Sequence, residues 1–213
     1  DELRGLVSLP QAFKKNGYQT ALTGKIYHTF PPKKDRAAEF DRYGPPCNFG
    51  PLPKEKFIKG LGHRLVDWGV YPEKDEQQND YHIASWAVNF LQETKPPDKP
   101  FFLGVGFGRP HVPCFASQEW FDMYPEETLV MPPMLEGDRD DVPDFAWYLN
   151  WRLPEPRLKW TKEAGQWKNL VRSYLASISF VDSQVGRVME ALENSPHAEN
   201  TIVILFSDHG WHL

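Results

Sequence analysis

The sequence predicts an α/β fold in which a mainly parallel sheet is flanked by helices. Three short apolar runs alternate with segments of helical periodicity, and each run leads directly into a polar turn. Strands and helices that alternate along a chain are typical of parallel sheets. With 213 residues the chain is long enough for one large domain or two small ones, with a sizeable core.

The first helix is expected to begin after Ser8, which is a good N-cap residue, with Pro10 in its first turn and Gly17 at its end. Residues 18–23 then read as a short strand that leads into Lys25 and His28. Residues 30–78 are rich in proline, glycine and lysine. We expect them to form a long excursion with a few short elements.

A second helix is predicted over residues 81–93, capped by Asn79 and Asp80, because its apolar residues keep three- and four-residue spacings. Residues 101–107 form a continuous apolar run, as in a buried parallel strand, and Arg109 and His111 follow it. Residues 114–160 are rich in aromatic residues and proline, and we expect long loops there.

The third helix is predicted over residues 163–194, again from its apolar spacing. The apolar run 201–206 follows it and reads as a third buried strand, which delivers Asp208 and His209.

Functional groups in a parallel sheet gather beyond the carboxyl ends of the strands. The residues that follow the three predicted strands are Lys25 and His28, Arg109 and His111, and Asp208 and His209. Cations, imidazoles and a carboxylate at one edge suit an anionic ester and a metal ion better than an apolar ligand. Taken singly, each also has a structural interpretation: a solvated surface lysine, a loop histidine, or a surface turn at Asp208.

Composition excludes some classes of protein. The net charge of −5 argues against general nucleic-acid binding, which needs a basic surface. The longest purely apolar run, residues 202–206, is far too short to span a membrane. Two cysteines, Cys47 and Cys114, cannot form a dense disulfide framework, and no lowered pKa can be argued for either, so a catalytic thiol is not expected.

Four stretches together resemble the type I, formylglycine-dependent sulfatases of the alkaline-phosphatase-like α/β superfamily, with iduronate-2-sulfatase and its bacterial relatives as the nearest branch. The stretches are residues 9–18 with 24–28, 100–103 with 109–113, 173–177 with 182–187, and 206–211. Their order and spacing are as specific as the motifs themselves.

The resemblance implies a sulfuric ester hydrolase. Lys25 would bind a sulfate oxygen, and His28 would assist elimination as a base. His111 would contact sulfate and the leaving-group oxygen. Asp208 and His209 would serve as ligands of a divalent metal, usually Ca²⁺, with Mg²⁺ as an alternative. The implied substrate is a sulfated sugar or uronic acid, as in glycosaminoglycan or polysaccharide degradation, and the implied location is periplasmic, extracellular or lysosomal.

The sequence also departs from the family pattern. The Cys-x-Pro-x-Arg segment whose cysteine becomes formylglycine is not present, and neither Cys47 nor Cys114 has that context. We therefore expect residues 1–213 to be the middle part of one sulfatase catalytic domain, lacking the N-terminal nucleophile segment and the C-terminal part. Such a chain would be inactive alone and would need the remaining segments of the same protein as its partners.

Two alternatives stay open from the residues. One is a phosphoryl-transfer hydrolase on the same superfamily fold, which would need a serine or threonine nucleophile and usually two metals. The other is a non-catalytic carbohydrate-binding module that uses the many tryptophans. A carbohydrate-binding module would not explain why cations, imidazoles and a carboxylate follow the predicted strands.

Overall fold

The first helix of the computed structural model begins as the sequence predicts. Ser8 accepts a hydrogen bond from the Gln11 backbone, and the Gln11 side chain accepts one from the Ser8 N–H, which together form a capping box. Gly17 follows the helix with φ +85°, a conformation that favours glycine. Residues 6–28, 33–94, 99–138, 140–151 and 156–211 are described by the structure.

The described strands are β1 (Gln19–Gly24), β2 (Arg42–Pro46), β3 (Trp68–Val70), β4 (Phe101–Gly106) and β5 (Cys114–Ala116). The described helices are α1 (Leu9–Lys15), α2 (Lys33–Glu39), α3 (Asn79–Glu93), α4 (Gln118–Asp122), α5 (Asp144–Trp151), α6 (Leu158–Glu163) and α7 (Trp167–Glu193). Short 3-10 turns lie at Asp75–Gln77 and Ala198–Asn200.

The chain divides into two compact units. Unit 1 contains the described parts of Asp1–Pro51, Asp75–Arg109 and Val181–Phe206. Unit 2 contains those of Leu52–Lys74, Pro110–Phe180 and Ser207–Leu213. The helix α7 therefore contributes its first half to unit 2 and its second half to unit 1.

Unit 1 is built on a parallel sheet with the strand order β2-β1-β4, which confirms the predicted fold class. The strands β1 and β4 pair in register from Gln19 opposite Phe101 to Gly24 opposite Gly106. Glycine is required at both final positions, because a Cβ on Gly24 would overlap the Gly106 carbonyl and one on Gly106 would overlap the Lys25 carbonyl. The two strand ends therefore approach each other closely.

Helix α3 and the end of α7 bury their apolar sides in unit 1. The fully buried members of this core are Ala21, Phe90, Leu91 and Leu192, with Phe101, Leu103 and Val188 packed around them. Burying apolar side chains on one face of a sheet is the main favourable term that stabilises such a layer. The spacing that predicted α3 is thus the spacing that faces the core.

Unit 2 contains a second, smaller parallel pair, β3 with β5. Buried Asp67 holds the segment that precedes β3. Its carboxylate accepts hydrogen bonds from the backbone N–H groups of Phe57, Ile58 and Trp68. The surrounding core consists of Ile58, Val66, Trp68, Cys114 and Leu170.

The helix predicted over residues 163–194 is confirmed as α7, which ends at Glu193 but begins at Trp167 instead of Glu163. A separate short helix, α6, ends at Glu163. Between them Gly165 takes φ +64°, a left-handed conformation that stops an α-helix. Helical spacing across 163–167 therefore did not reveal the break.

The strand predicted over residues 201–206 is wrong for the described structure. These residues form no ladder with any described strand, and Ile202, Ile204 and Phe206 are 91%, 79% and 83% exposed. The run has strand composition, but a strand also needs a neighbour for its backbone N–H and C=O groups. The described chain provides none here. Among the described helices, none is both long and apolar enough to cross a membrane.

Candidate functional site

The carboxyl ends of β1, β2 and β4 lie at one edge of the unit 1 sheet, because the three strands are parallel neighbours. Lys25, Cys47 and the segment 107–109 follow these ends directly. The structure thus brings together two of the strand ends that the sequence predicted. It adds the end of β2, which the sequence did not predict.

Lys25 is held at this edge by its backbone, whose N–H donates to the Gly106 carbonyl at 2.7 Å. The residue is half-buried, and three residues further along the chain His28 is exposed. An ammonium group at the end of a buried strand, with an exposed imidazole nearby in sequence, is suited to an anionic ligand. Lys25 therefore lies at the sheet edge, and His28 follows it in the same loop of unit 1.

Buried Asp80 anchors the segment that follows β4. Its two carboxylate oxygens accept hydrogen bonds from the backbone N–H groups of Gly108 and Arg109, each at 2.8 Å. The side chain lies in the first turn of α3 and is only 4% exposed. Burial raises the pKa of this carboxyl group, while the two N–H donors and the Arg109 guanidinium act in the opposite direction.

Arg109, which the sequence placed among the converging functional groups, has a structural role. Its guanidinium is buried and donates to the Gln78 side-chain oxygen at 3.3 and 3.2 Å and to the Phe49 carbonyl at 3.4 Å. These bonds join the segments after β2 and β4 to the start of α3. The guanidinium is thus committed to the protein interior.

Asp80 and Gln78 are the residues that sequence reasoning missed. Asp80 was predicted to cap its helix, but Gln78 occupies the N-cap position without a side-chain cap bond, and Asp80 bonds across to the β4 loop. The only sequence signal was a run of polar residues before an apolar stripe, which a cap explains equally well.

Cys47 is a partly buried thiol in the same region. Burial raises the pKa of the Cys47 thiol to about 11; the Asp80 charge adds to this effect, and Lys25 and Arg109 oppose it. The thiol is therefore protonated near neutral pH and is a poor nucleophile. The raised pKa argues against Cys47 as a nucleophile, and Cys47 and Cys114 are not joined by a disulfide.

His111 belongs to unit 2, in the loop just before β5. Its ring is exposed, and its Nδ1 lies 2.6 Å from the Val112 carbonyl. Because a carbonyl oxygen can only accept, Nδ1 carries the proton. The neutral ring then presents Nε2 as the basic nitrogen. This tautomer suits a group that exchanges a proton with a bound oxygen.

Asp208 and His209 also belong to unit 2 and lie on an exposed turn. Asp208 Oδ1 accepts the His209 N–H at 3.0 Å, and Asp208 Oδ2 lies 4.0 Å from His209 Nε2. The ring nitrogen Nδ1 of His209 is 3.0 Å from the Gly210 carbonyl, which leaves Nε2 as the basic nitrogen. A carboxylate oxygen and an imidazole nitrogen at this separation can reach one cation.

These two donors do not complete a metal site. Calcium takes six to eight oxygen ligands. In the ranges that the structure describes, no group of three or more His, Cys, Asp or Glu side chains comes together to hold a metal. The five predicted site residues fall into two sets, Lys25 and His28 in unit 1 and His111, Asp208 and His209 in unit 2.

Comparison with known proteins gives a consistent family. The Sulfatase family profile matches residues 2–213. A sulfatase of Formosa agariphila is 39% identical over 222 residues, which covers 99% of this chain and 43% of that protein. The human iduronate 2-sulfatase is 29% identical over 233 residues, and the match covers 97% of this chain and 40% of that protein.

Among solved structures, the chain is similar to Ps i-CgsB in complex with k-i-k-neocarrahexaose. That likeness has a TM-score of 0.47 at 19% identity and covers 86% of this chain and 36% of that one. It is too distant to carry an argument. The chain thus spans about two fifths of the length of the curated relatives named above. On the profile match over nearly all of its residues, the chain belongs to the sulfatase family.

Proposed function

We propose that the protein containing this chain hydrolyses sulfate esters of a sulfated sugar or uronic acid. The observation that carries the proposal is the sulfatase profile match over residues 2–213, a range that contains every predicted site residue. Relatives named iduronate 2-sulfatase and endo-4-O-sulfatase support a sulfated carbohydrate as the substrate class. The chemistry of the predicted residues suits that reaction.

Lys25, His28 and His111 are assigned to binding and proton exchange. The Lys25 ammonium binds a sulfate oxygen and offsets its negative charge. His111 contacts sulfate and the oxygen of the leaving alcohol, where charge grows as the S–O bond breaks, and His28 acts as a base. The nucleophile is supplied by a formylglycine that we place on a cysteine outside this chain.

Asp208 and His209 are assigned to a divalent cation, with Ca²⁺ as the first choice and Mg²⁺ as the alternative. A hard carboxylate oxygen fits either ion. The other ligands must come from residues beyond this pair, so the chain by itself should bind the metal weakly. Such a cation, when bound, polarises the sulfate group.

The chain is further proposed to be the middle part of a single catalytic domain in a longer protein. Two observations support this: the short coverage of the relatives and the exposed apolar run 202–206, which a neighbouring segment would cover. The proposed location is periplasmic, extracellular or lysosomal. The proposed partners are the remaining segments of the same protein and the carbohydrate substrate.

The test uses the full-length protein and measures release of sulfate from a panel of sulfated uronic-acid and amino-sugar oligosaccharides. We expect turnover with the wild type and a fall in kcat of about 100-fold or more in His111→Ala, because a positioned acid–base group contributes at least that factor. His63→Ala is the matched control, since His63 is another exposed histidine of unit 2 and lies outside the predicted site.

Unchanged sulfate release in His111→Ala would overturn the role assigned to His111, and one further result would overturn the proposed function itself. Release of phosphate from phosphate esters without release of sulfate would instead identify a phosphoryl-transfer hydrolase.

A further inference from the structure

Three consecutive residues at the start of α3 bond to both loops at the candidate edge of unit 1. We call Gln78, Asn79 and Asp80 the α3 N-terminal cluster. Gln78 and Asp80 bond to the loop after β4, as described above. Asn79 bonds to the loop after β2: its side-chain oxygen accepts the Asn48 N–H at 2.7 Å, and its amide donates to the Pro46 carbonyl at 3.2 Å.

The two loops are also joined to each other. Arg109 donates to the Phe49 carbonyl. Within the loop after β2, the Asn48 side chain accepts the Gly50 N–H at 2.7 Å. Gly108 packs so closely on Cys47 that an added Cβ would lie 2.8 Å from the Cys47 sulfur. The cluster and the loops thus form one hydrogen-bonded and packed assembly around a strand end.

Burial makes these bonds costly to break. Gln78 and Asp80 are 1% and 4% exposed, so loss of a partner would leave a buried polar group without water to replace it. Two backbone N–H groups held by one buried carboxylate restrict the conformations of the loop after β4. A loop that must present a side chain in one place needs such a restriction.

We propose that the α3 N-terminal cluster is a positioning device for the candidate site. It fixes the segment Gly108–Arg109, which leads within two residues to His111, and the segment 47–50 beside Lys25 in the same sheet edge. The consequence for turnover rests on the proposed sulfatase function. The fixing of the two loops does not.

The first experiment measures amide hydrogen exchange in the full-length protein, in peptides covering residues 46–50 and 104–110. Asp80→Asn keeps the volume but replaces one acceptor by a donor that faces a backbone N–H. We expect exchange at Gly108 and Arg109 to become about tenfold faster or more. Ser85→Ala is the matched control, because Ser85 also lies in α3. The substitution removes the hydrogen bond that Arg187 donates to Ser85 at 2.8 Å, and it should leave exchange in both loops unchanged.

The second experiment measures sulfate release by the same proteins together with Gln78→Leu and Gln78→Glu. Leucine removes the acceptor for Arg109, whereas glutamate keeps one. We expect Gln78→Leu and Asp80→Asn to lower kcat by about tenfold with KM changed by less than about twofold, and Gln78→Glu to restore most of kcat. Their thermal midpoints measure how much each substitution destabilises the fold, and kcat is compared well below the lowest midpoint.

Unchanged exchange in both loops of Asp80→Asn would overturn the proposal. So would a normal kcat in Asp80→Asn together with faster exchange in its loops, because the cluster would then be structural only. A wild-type protein that releases no sulfate from any member of the panel would overturn the proposed function instead, and the exchange result would still decide whether the cluster fixes the loops.

Discussion

At the scale of single residues, Cys47 shows how a neighbourhood sets chemical behaviour. It follows the end of a strand and lies near the charges of Lys25 and Arg109, and nearby cations favour a reactive thiolate. Burial outweighs both cations, and the Asp80 charge acts in the same direction as burial. Its thiol is therefore an inert packing group against Gly108.

Alkylation of Cys47 should consequently be slow near neutral pH and should accelerate as the pH approaches about 11. The thiolate is the reacting species, and its fraction falls about tenfold for each pH unit below the pKa. Iodoacetamide labelling followed by peptide mass spectrometry gives the rate, with completely buried Cys114 as an internal reference for solvent access. Rapid labelling of Cys47 near neutral pH would contradict the raised pKa.

The packing of Gly108 on Cys47 gives a second test at this scale. Gly108→Ala should lower the free energy of unfolding by about 1–3 kcal/mol, because the added methyl group overlaps the sulfur. In a Cys47→Ala background the same change should cost much less, since the overlap is gone. Chemical denaturation of the four proteins measures the coupling, and equal costs in both backgrounds would show that the overlap is relieved elsewhere.

At the scale of secondary-structure elements, local rules succeeded where the determining contacts are local. The cap at Ser8 and the stop at Gly17 are set by residues within a few positions of each other. The local rules failed at β2, because its sequence, Arg-Tyr-Gly-Pro-Pro, contains residues that strands usually avoid. As an edge strand β2 tolerates proline, because only one side of it must pair.

The capping box of α1 gives the prediction for this scale. Ser8→Ala should destabilise unit 1 by about 1 kcal/mol, because the Gln11 N–H loses its acceptor at the helix terminus. Ser8→Asp is the matched control, since its carboxylate can accept the same bond. The measurement is the denaturation midpoint, and equal midpoints for Ser8→Ala and the wild type would show that the box contributes nothing.

At the scale of the whole molecule, the apolar run 202–206 is exposed, and no described strand pairs with it. Extended apolar residues in water favour pairing with any available strand or apolar surface. In a longer protein a neighbouring segment would cover the run. The 213-residue chain by itself has no such cover within its described residues.

The 213-residue chain alone should therefore self-associate, as measured by light scattering coupled to size-exclusion chromatography. Replacing Ile202 and Ile204 together by lysine should reduce the association, because charges on an exposed run oppose pairing. Val130→Lys is the control, since Val130 is equally exposed but lies outside the run. A monomeric wild-type chain would contradict this account of the run.

The sequence by itself determined the alternation of helices and strands, the predicted strands that pair in parallel as β1 and β4, and the residues that follow those two strands. Each of these depends on spacing, turn residues and composition within short stretches. Only the tertiary structure decided that Asp80 holds the β4 loop instead of capping its own helix, and that Arg109 is bound to Gln78. These partners lie 29 and 31 positions apart. Such contacts exist only once the parallel strands bring their loops to one edge.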